Sequence, residues 1–265
     1  MSFLGDRIAL VGAYVTDLVR RGVPKTVGSI DREVVFVVDG VGGFQAVPIL
    51  LRRAWRGRND APGTVAVRWQ FGLPGVIWID LCWRSRSERK AAEFAEQLVA
   101  FRARHPETTI HVVAYSAGTA IAVWACEHLD GRVKIETLVL ACSALSPTYN
   151  LGPALRSVER CYALVSERDR VILGFGTRVF GTMDRRFVSA AGRMRFSRPR
   201  SLSPQDVGAY DRLQEIRWTP DLRAAGNAGG HSGFASVPFL REHMLAILRG
   251  EPKLAVHDVA TQAID

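Results

Sequence analysis

Apolar residues recur along the chain with two different spacings, and their alternation sets the expected architecture. Val34-Val35-Phe36-Val37-Val38 is an uninterrupted β-branched and aromatic run of strand length, the pattern of a strand covered on both faces. Further strand-like runs stand at Thr64 to Trp69, Thr108 to Val113, Val133 to Ala141, Cys161 to Val165 and Leu213 to Trp218. Between them the spacing turns helical. Residues 48 to 58 carry such a pattern, and residues 85 to 104 place Ala91, Phe94, Ala95, Leu98 and Phe101 on one face with Arg and Glu opposite. Thr119 to Leu129 closes at Asp130-Gly131, and Val237 to Leu248 stops at Gly250 and Pro252. Leu145 to Val158 reads as a short, partly helical connection, and Val171 to Asp211 as one long irregular section. Strands alternating with helices predict an α/β fold, a mostly parallel sheet with helices on both faces. The reading is one domain over residues 31–253, preceded by an amphipathic helix and connection over 1–30 and followed by a flexible tail over 254–265.

Composition narrows the class. With 48% hydrophobic and 23% charged residues the chain is globular, and no apolar run approaches the roughly 20 residues needed to span a bilayer, so no transmembrane segment is expected. Asp6, Arg7 and Asp17 interrupt the apolar pattern of the N-terminus, which is unlike a secretory signal. Cys82, Cys126, Cys142 and Cys161 are widely spaced without a C-x-x-C pair, which suits free thiols in a reducing, cytoplasmic setting. A net charge of +9 raises the question of nucleic acid. Only four of the 35 basic residues are lysines, and the arginines are mostly scattered rather than gathered on one helix, so no specific nucleic-acid partner is expected. No metal or cofactor is expected either, since the chain has no H-E-x-x-H, no Cys/His pair at ligand spacing and no G-x-x-x-x-G-K-[ST] loop.

The chemistry gathers around Ala114-Tyr115-Ser116-Ala117-Gly118, where a strand runs directly into a helix. Such a turn strains its central residue and is tolerated when the residues two places either side are small, as Ala114 and Gly118 are. It lifts the Ser116 hydroxyl clear of the sheet edge and turns the Ala117 N–H and the positive helix end toward any negative charge forming there. The bland alternative is a serine that only caps a helix. After the first strong strand comes Asp39-Gly40-Val41-Gly42-Gly43-Phe44. Two uses compete for these glycines, a dinucleotide cradle and an oxyanion site, and Gln45 stands where the dinucleotide fingerprint needs a third glycine or alanine.

The Ser116 segment resembles the nucleophile elbow of the α/β-hydrolase superfamily, G-x-S-x-G, with alanine in place of the first glycine. The resemblance covers roughly residues 33 to 249 and implies an α/β-hydrolase fold, without a large cap domain because the connection after Ala141 is short. It implies backbone N–H groups of Val41 and Ala117 as an oxyanion hole, with Asp39 where the superfamily often has histidine. It also implies the chain order serine, acid, histidine. His231, on the glycine-rich loop Gly226 to Gly233, fits the histidine, and Asp169 fits the acid, with Glu167 and Asp184 as competitors. Tyr115, Leu145, Leu151, Leu155 and Phe175 are candidate substrate contacts. The implied function is a cofactor-independent serine hydrolase cleaving an ester or related acyl bond of a small-molecule substrate through an acyl-enzyme. The alternatives are an acyltransferase using the same groups and a non-catalytic binding module on the same fold. The arginines of residues 185 to 200 add the hypothesis of a substrate with a remote negative charge.

Overall fold

The computed structural model describes residues 26–71 and 77–259. The expected N-terminal helix and the end of the tail lie outside these residues. Eight strands form one sheet in the order β1-β3-β2-β4-β5-β6-β7-β8. They are β1 Thr26–Val27, β2 Glu33–Val38, β3 Gly63–Val67, β4 Thr109–Tyr115, β5 Ile135–Ala141, β6 Val158–Val165, β7 Leu213–Arg217 and β8 Val256–Asp258. Strands β2 to β7 pair in parallel, and the two short edge strands run antiparallel. The expected α/β class, mostly parallel, is therefore the observed one. The sheet reaches beyond the limits 31 and 253, because β1 precedes them and β8, in a stretch expected to be a loose tail, pairs Val256 with Ile216.

The main helices are α1 Ala46–Ala54, α2 Ile77–Cys82, α3 Arg84–Arg104 and α4 Gly118–Leu129. Helix α4 buries ten of its 12 residues, so its near-continuous apolar sequence is that of an inner helix. It packs against α3, while α1 packs against the segment Val237 to Met244. The closing helix is not one regular unit, because a π-helical stretch at Leu240–Met244 separates two short α-helical turns. The irregular section after β6 resolves into single turns, Val171–Gly176 in π form, then Thr177–Phe180, Ala191–Met194, Pro204–Val207 and a 3-10 turn at Gly208–Arg212. Units of this length have too few residues to show a periodicity.

Register brings the working ends together. Val38 lies opposite Ala114, Ala114 opposite Leu140, and Leu140 opposite Ala163. The turns after β2, β4 and β6 therefore emerge at one edge. β3 and β4 flank β2 on opposite sides, so the connections reverse direction there, and the resulting crevice is the usual ligand site of an open α/β sheet.

Candidate active site

Ser116 follows β4 with φ 54°, a left-handed conformation that costs a non-glycine residue on the order of 1–3 kcal/mol. Neighbours hold it there. Its N–H donates to the Ala141 carbonyl at 2.9 Å, and its own carbonyl accepts from the Thr119 hydroxyl at 2.6 Å and the Thr119 N–H at 3.1 Å. Gly118 sits against the end of β2, where a Cβ would lie 2.4 Å from the carbonyl oxygens of Val38 and Asp39. The close crossing of α4 over β2 thus requires glycine.

The Ser116 hydroxyl lies 2.9 Å from His231 Nε2, and His231 Nδ1 lies 2.6 Å from Asp169 Oδ2. Asp169 is buried, and its other oxygen accepts the Leu173 N–H at 3.2 Å. With the Nδ1 proton directed to the carboxylate, Nε2 is free to accept the serine proton. The competing acids are elsewhere. Asp184 accepts from the Ser146 N–H at 2.8 Å, the Ser146 hydroxyl at 2.5 Å and the Thr182 hydroxyl at 2.7 Å. Glu167 is exposed. The His231 loop is tied down through its backbone, since Tyr115 donates its hydroxyl to the His231 carbonyl at 2.5 Å, and Cys142 Sγ lies 3.3 Å from the same oxygen. Burial, before the nearby charges, pushes both Tyr115 and Cys142 well above their usual pKa ranges, so both remain donors. Cys142, Asp169 and His231 also form the cluster whose ligand atoms come closest to a metal-binding arrangement among the described residues, but each of its members already has a role in this hydrogen-bonded chain.

A cavity of about 290 Å³ is lined by Ser116, with Val41 and Ala117 also in its lining and an otherwise almost wholly apolar wall. That wall comes from Ile77 and Leu81 of α2, from Ala144, and from Ile172, Leu173, Phe180 and Met183 of the section after β6. Its one other hydroxyl, Thr177, is committed to the Leu173 carbonyl at 2.7 Å. The substrate contacts expected from the sequence are placed differently. Leu145, Leu151 and Leu155 are fully buried core residues outside this lining, Phe175 is exposed and outside it, and Tyr115 faces the His231 loop. The leucines belong to the connection between β5 and β6. The cover comes instead from the next connection, which Ala190, Ala191 and Gly192 pin by donating N–H groups to the carbonyls of Leu173, Leu145 and Ser143.

The glycine turn is organised by two buried carboxylates. Asp39 accepts the Gly40 N–H at 2.8 Å and the Val47 N–H at 3.3 Å, the latter in the first turn of α1, where negative charge is favoured. Asp80, not singled out in the sequence, accepts the Gly42 N–H at 2.9 Å and the Phe71 N–H at 2.8 Å and meets Arg86 at 3.4 Å. An acid inside the apolar run Ile77-Trp78-Ile79-Asp80-Leu81 was the available signal. Gln45, which breaks the dinucleotide fingerprint, starts α1 from a left-handed conformation at φ 50°.

A mostly parallel sheet with a strained serine at a central strand–helix junction, and an acid and a histidine delivered by later loops, is the α/β-hydrolase architecture. No family model matches the chain, and no curated protein matches it. Solved structures with which it shares a likeness include an esterase, PE8, at 14% identity and a TM-score of 0.44, covering 78% of this chain and 89% of that one. A cutinase-like protein from Cryptococcus sp. aligns at 12% identity and 0.36, over 82% and 91% of the two chains. Trichoderma reesei cutinase, bound to a phosphonate inhibitor, aligns at 16% and 0.37, over 59% and 72%.

Proposed function

We propose that the chain is a serine hydrolase that cleaves esters of uncharged, apolar acyl groups. Ser116 attacks the acyl carbonyl while His231 takes its proton, and Asp169 holds the imidazole in the tautomer that does so. The N–H groups of Val41 and Ala117, two residues that line the cavity together with Ser116, receive the negative oxygen of the tetrahedral intermediate. His231 then protonates the departing alcohol, and water repeats the sequence to release the acid. The observation that carries this reading is the chain Ser116–His231–Asp169, with contacts of 2.9 and 2.6 Å, whose serine lines an apolar cavity. The arginines of residues 185 to 200 do not line that cavity, which favours an apolar acyl group over a charged one. The four cysteines are free, in keeping with a reducing compartment.

A fluorophosphonate probe should label the wild-type chain and leave Ser116→Ala unlabelled. Ser116→Ala and His231→Ala should each lower kcat for a p-nitrophenyl acyl ester by about 10⁴-fold or more, and the double variant should be little worse, because the groups act as a unit. A well-folded wild type that takes no label would remove the hydrolase reading.

A further inference from the structure

The section that covers the cavity also presents an unusual outer surface. Val171, Phe175 and Phe187 are 73%, 68% and 68% exposed, and Val179, Val188 and Met194 join them. Isolated exposed apolar residues need no explanation, but a concentration of them in one short stretch marks a contact surface. This one is continuous with the cavity. Ile172 and Phe180 line the cavity wall and are also 48% and 46% exposed. Arg178, Phe187, Val188, Met194 and Arg195 of the same section line one open groove.

The charge of this section is predominantly positive. Residues 168 to 200 hold nine arginines and two carboxylates, Asp169 and Asp184. Both carboxylates are engaged inward, with His231 and with Ser146 and Thr182. The exposed Glu167 stands one residue outside the stretch. Arg170, Arg178 and Arg186 are exposed among the apolar side chains.

We propose that this face binds an anionic lipid surface and sets the cavity mouth on it. Apolar side chains interleaved with guanidinium groups match the two layers of such a surface, because the former enter the acyl boundary while the latter meet the headgroup phosphates. An acyl chain leaving the bilayer would pass along Ile172 and Phe180 into the cavity without crossing water. The delivery of an ester to Ser116 rests on the hydrolase reading, whereas the binding does not.

The full chain carrying Ser116→Ala, which cannot consume the lipid, separates the two. It should float with vesicles of phosphatidylcholine mixed with phosphatidylglycerol at low salt and bind pure phosphatidylcholine far more weakly. Arg178→Glu/Arg186→Glu should weaken binding to the mixed vesicles by roughly tenfold or more, and added salt should weaken the parent protein in the same direction. Val171→Ser/Phe187→Ser should lose binding as well, while the same pair with Ser116 intact keeps its turnover of a soluble short-chain ester, which reports an undamaged fold. Equal binding to both vesicle types, no binding to either, or wild-type binding by both double variants would overturn the proposal. It would also be overturned by a wild-type dimer that Val171→Ser/Phe187→Ser dissolves, since the surface would then be covered by a second copy of the chain.

Discussion

Ser116 occupies a backbone conformation that its side chain disfavours, and the residue that makes this possible is Gly118. A methyl group there would lie 2.4 Å from two carbonyl oxygens of β2 and its following turn, so the start of α4 would have to move away from the sheet. Such overpacking typically costs about 1–3 kcal/mol, and moving the serine adds a catalytic penalty to the cost in stability. Gly118→Ala should therefore lower the urea midpoint and reduce kcat for a soluble ester beyond what the folded fraction accounts for. A variant with the wild-type midpoint and rate would show that α4 does not need its close approach. The small-residue requirement was legible in the sequence because it is local: five consecutive residues define both the turn and its tolerance. The role of Asp39 was not legible. Whether a carboxylate after a strand faces a ligand or its own backbone depends on where Val47 lies, and that follows only from the folded turn.

At the level of elements, the strands at Val34 to Val38 and Thr108 to Val113 are legible as β-branched runs, which keep their meaning without neighbours because both faces are covered. Asp169 and His231 could be placed because each follows a strand whose C-terminal end points at the same edge as Ser116. The cavity wall is not legible in the sequence because it depends on which connection folds back over that edge. The connection between β5 and β6 carries the leucines inward to the core, and the next, made of single helical turns, supplies Ile172, Phe180 and Met183. Helix α2 is not legible for a related reason, having only six residues. This assignment of the wall predicts a size filter. Met183→Trp should fill part of the 290 Å³ cavity and lower kcat/KM for long acyl esters while sparing acetate and propionate esters. Leu155→Trp, in the wall first expected, should instead damage stability without changing the ratio of long to short substrates. The reverse pattern would return the substrate wall to the shorter connection.

Across the whole molecule, two titratable groups outside the site, one buried and one half-buried, oppose each other in their effect on stability. His111, in the middle of β4, has both ring nitrogens buried without a partner, and burial first, then the charges of Arg160 and Arg249, lowers its pKa from 6.5 to about 4. Glu127, in α4, accepts the Tyr149 hydroxyl at 2.8 Å, and burial raises its pKa from 4.5 to about 7. Between about pH 4.5 and pH 6.5 the unfolded chain protonates the histidine and the folded protein does not, so that group makes stability fall on acidification. Over the same window the folded protein keeps Glu127 protonated and the unfolded chain does not, so that group makes stability fall as pH rises. Each slope is bounded at about 1.4 kcal/mol per pH unit, and their signs cancel. Removing one group should expose the other. Glu127→Gln keeps an acceptor for Tyr149 and should become less stable, relative to wild type, as pH falls through this window. His111→Leu removes two unpartnered nitrogens, so it should match or exceed wild-type stability near pH 6.5 and gain further on it as pH falls. Other carboxylates contribute equally to all three proteins, so the differences between urea unfolding curves at about pH 4.5 and 6.5 isolate the pair. Parallel pH dependences in the three proteins would mean that neither group changes its proton affinity on folding.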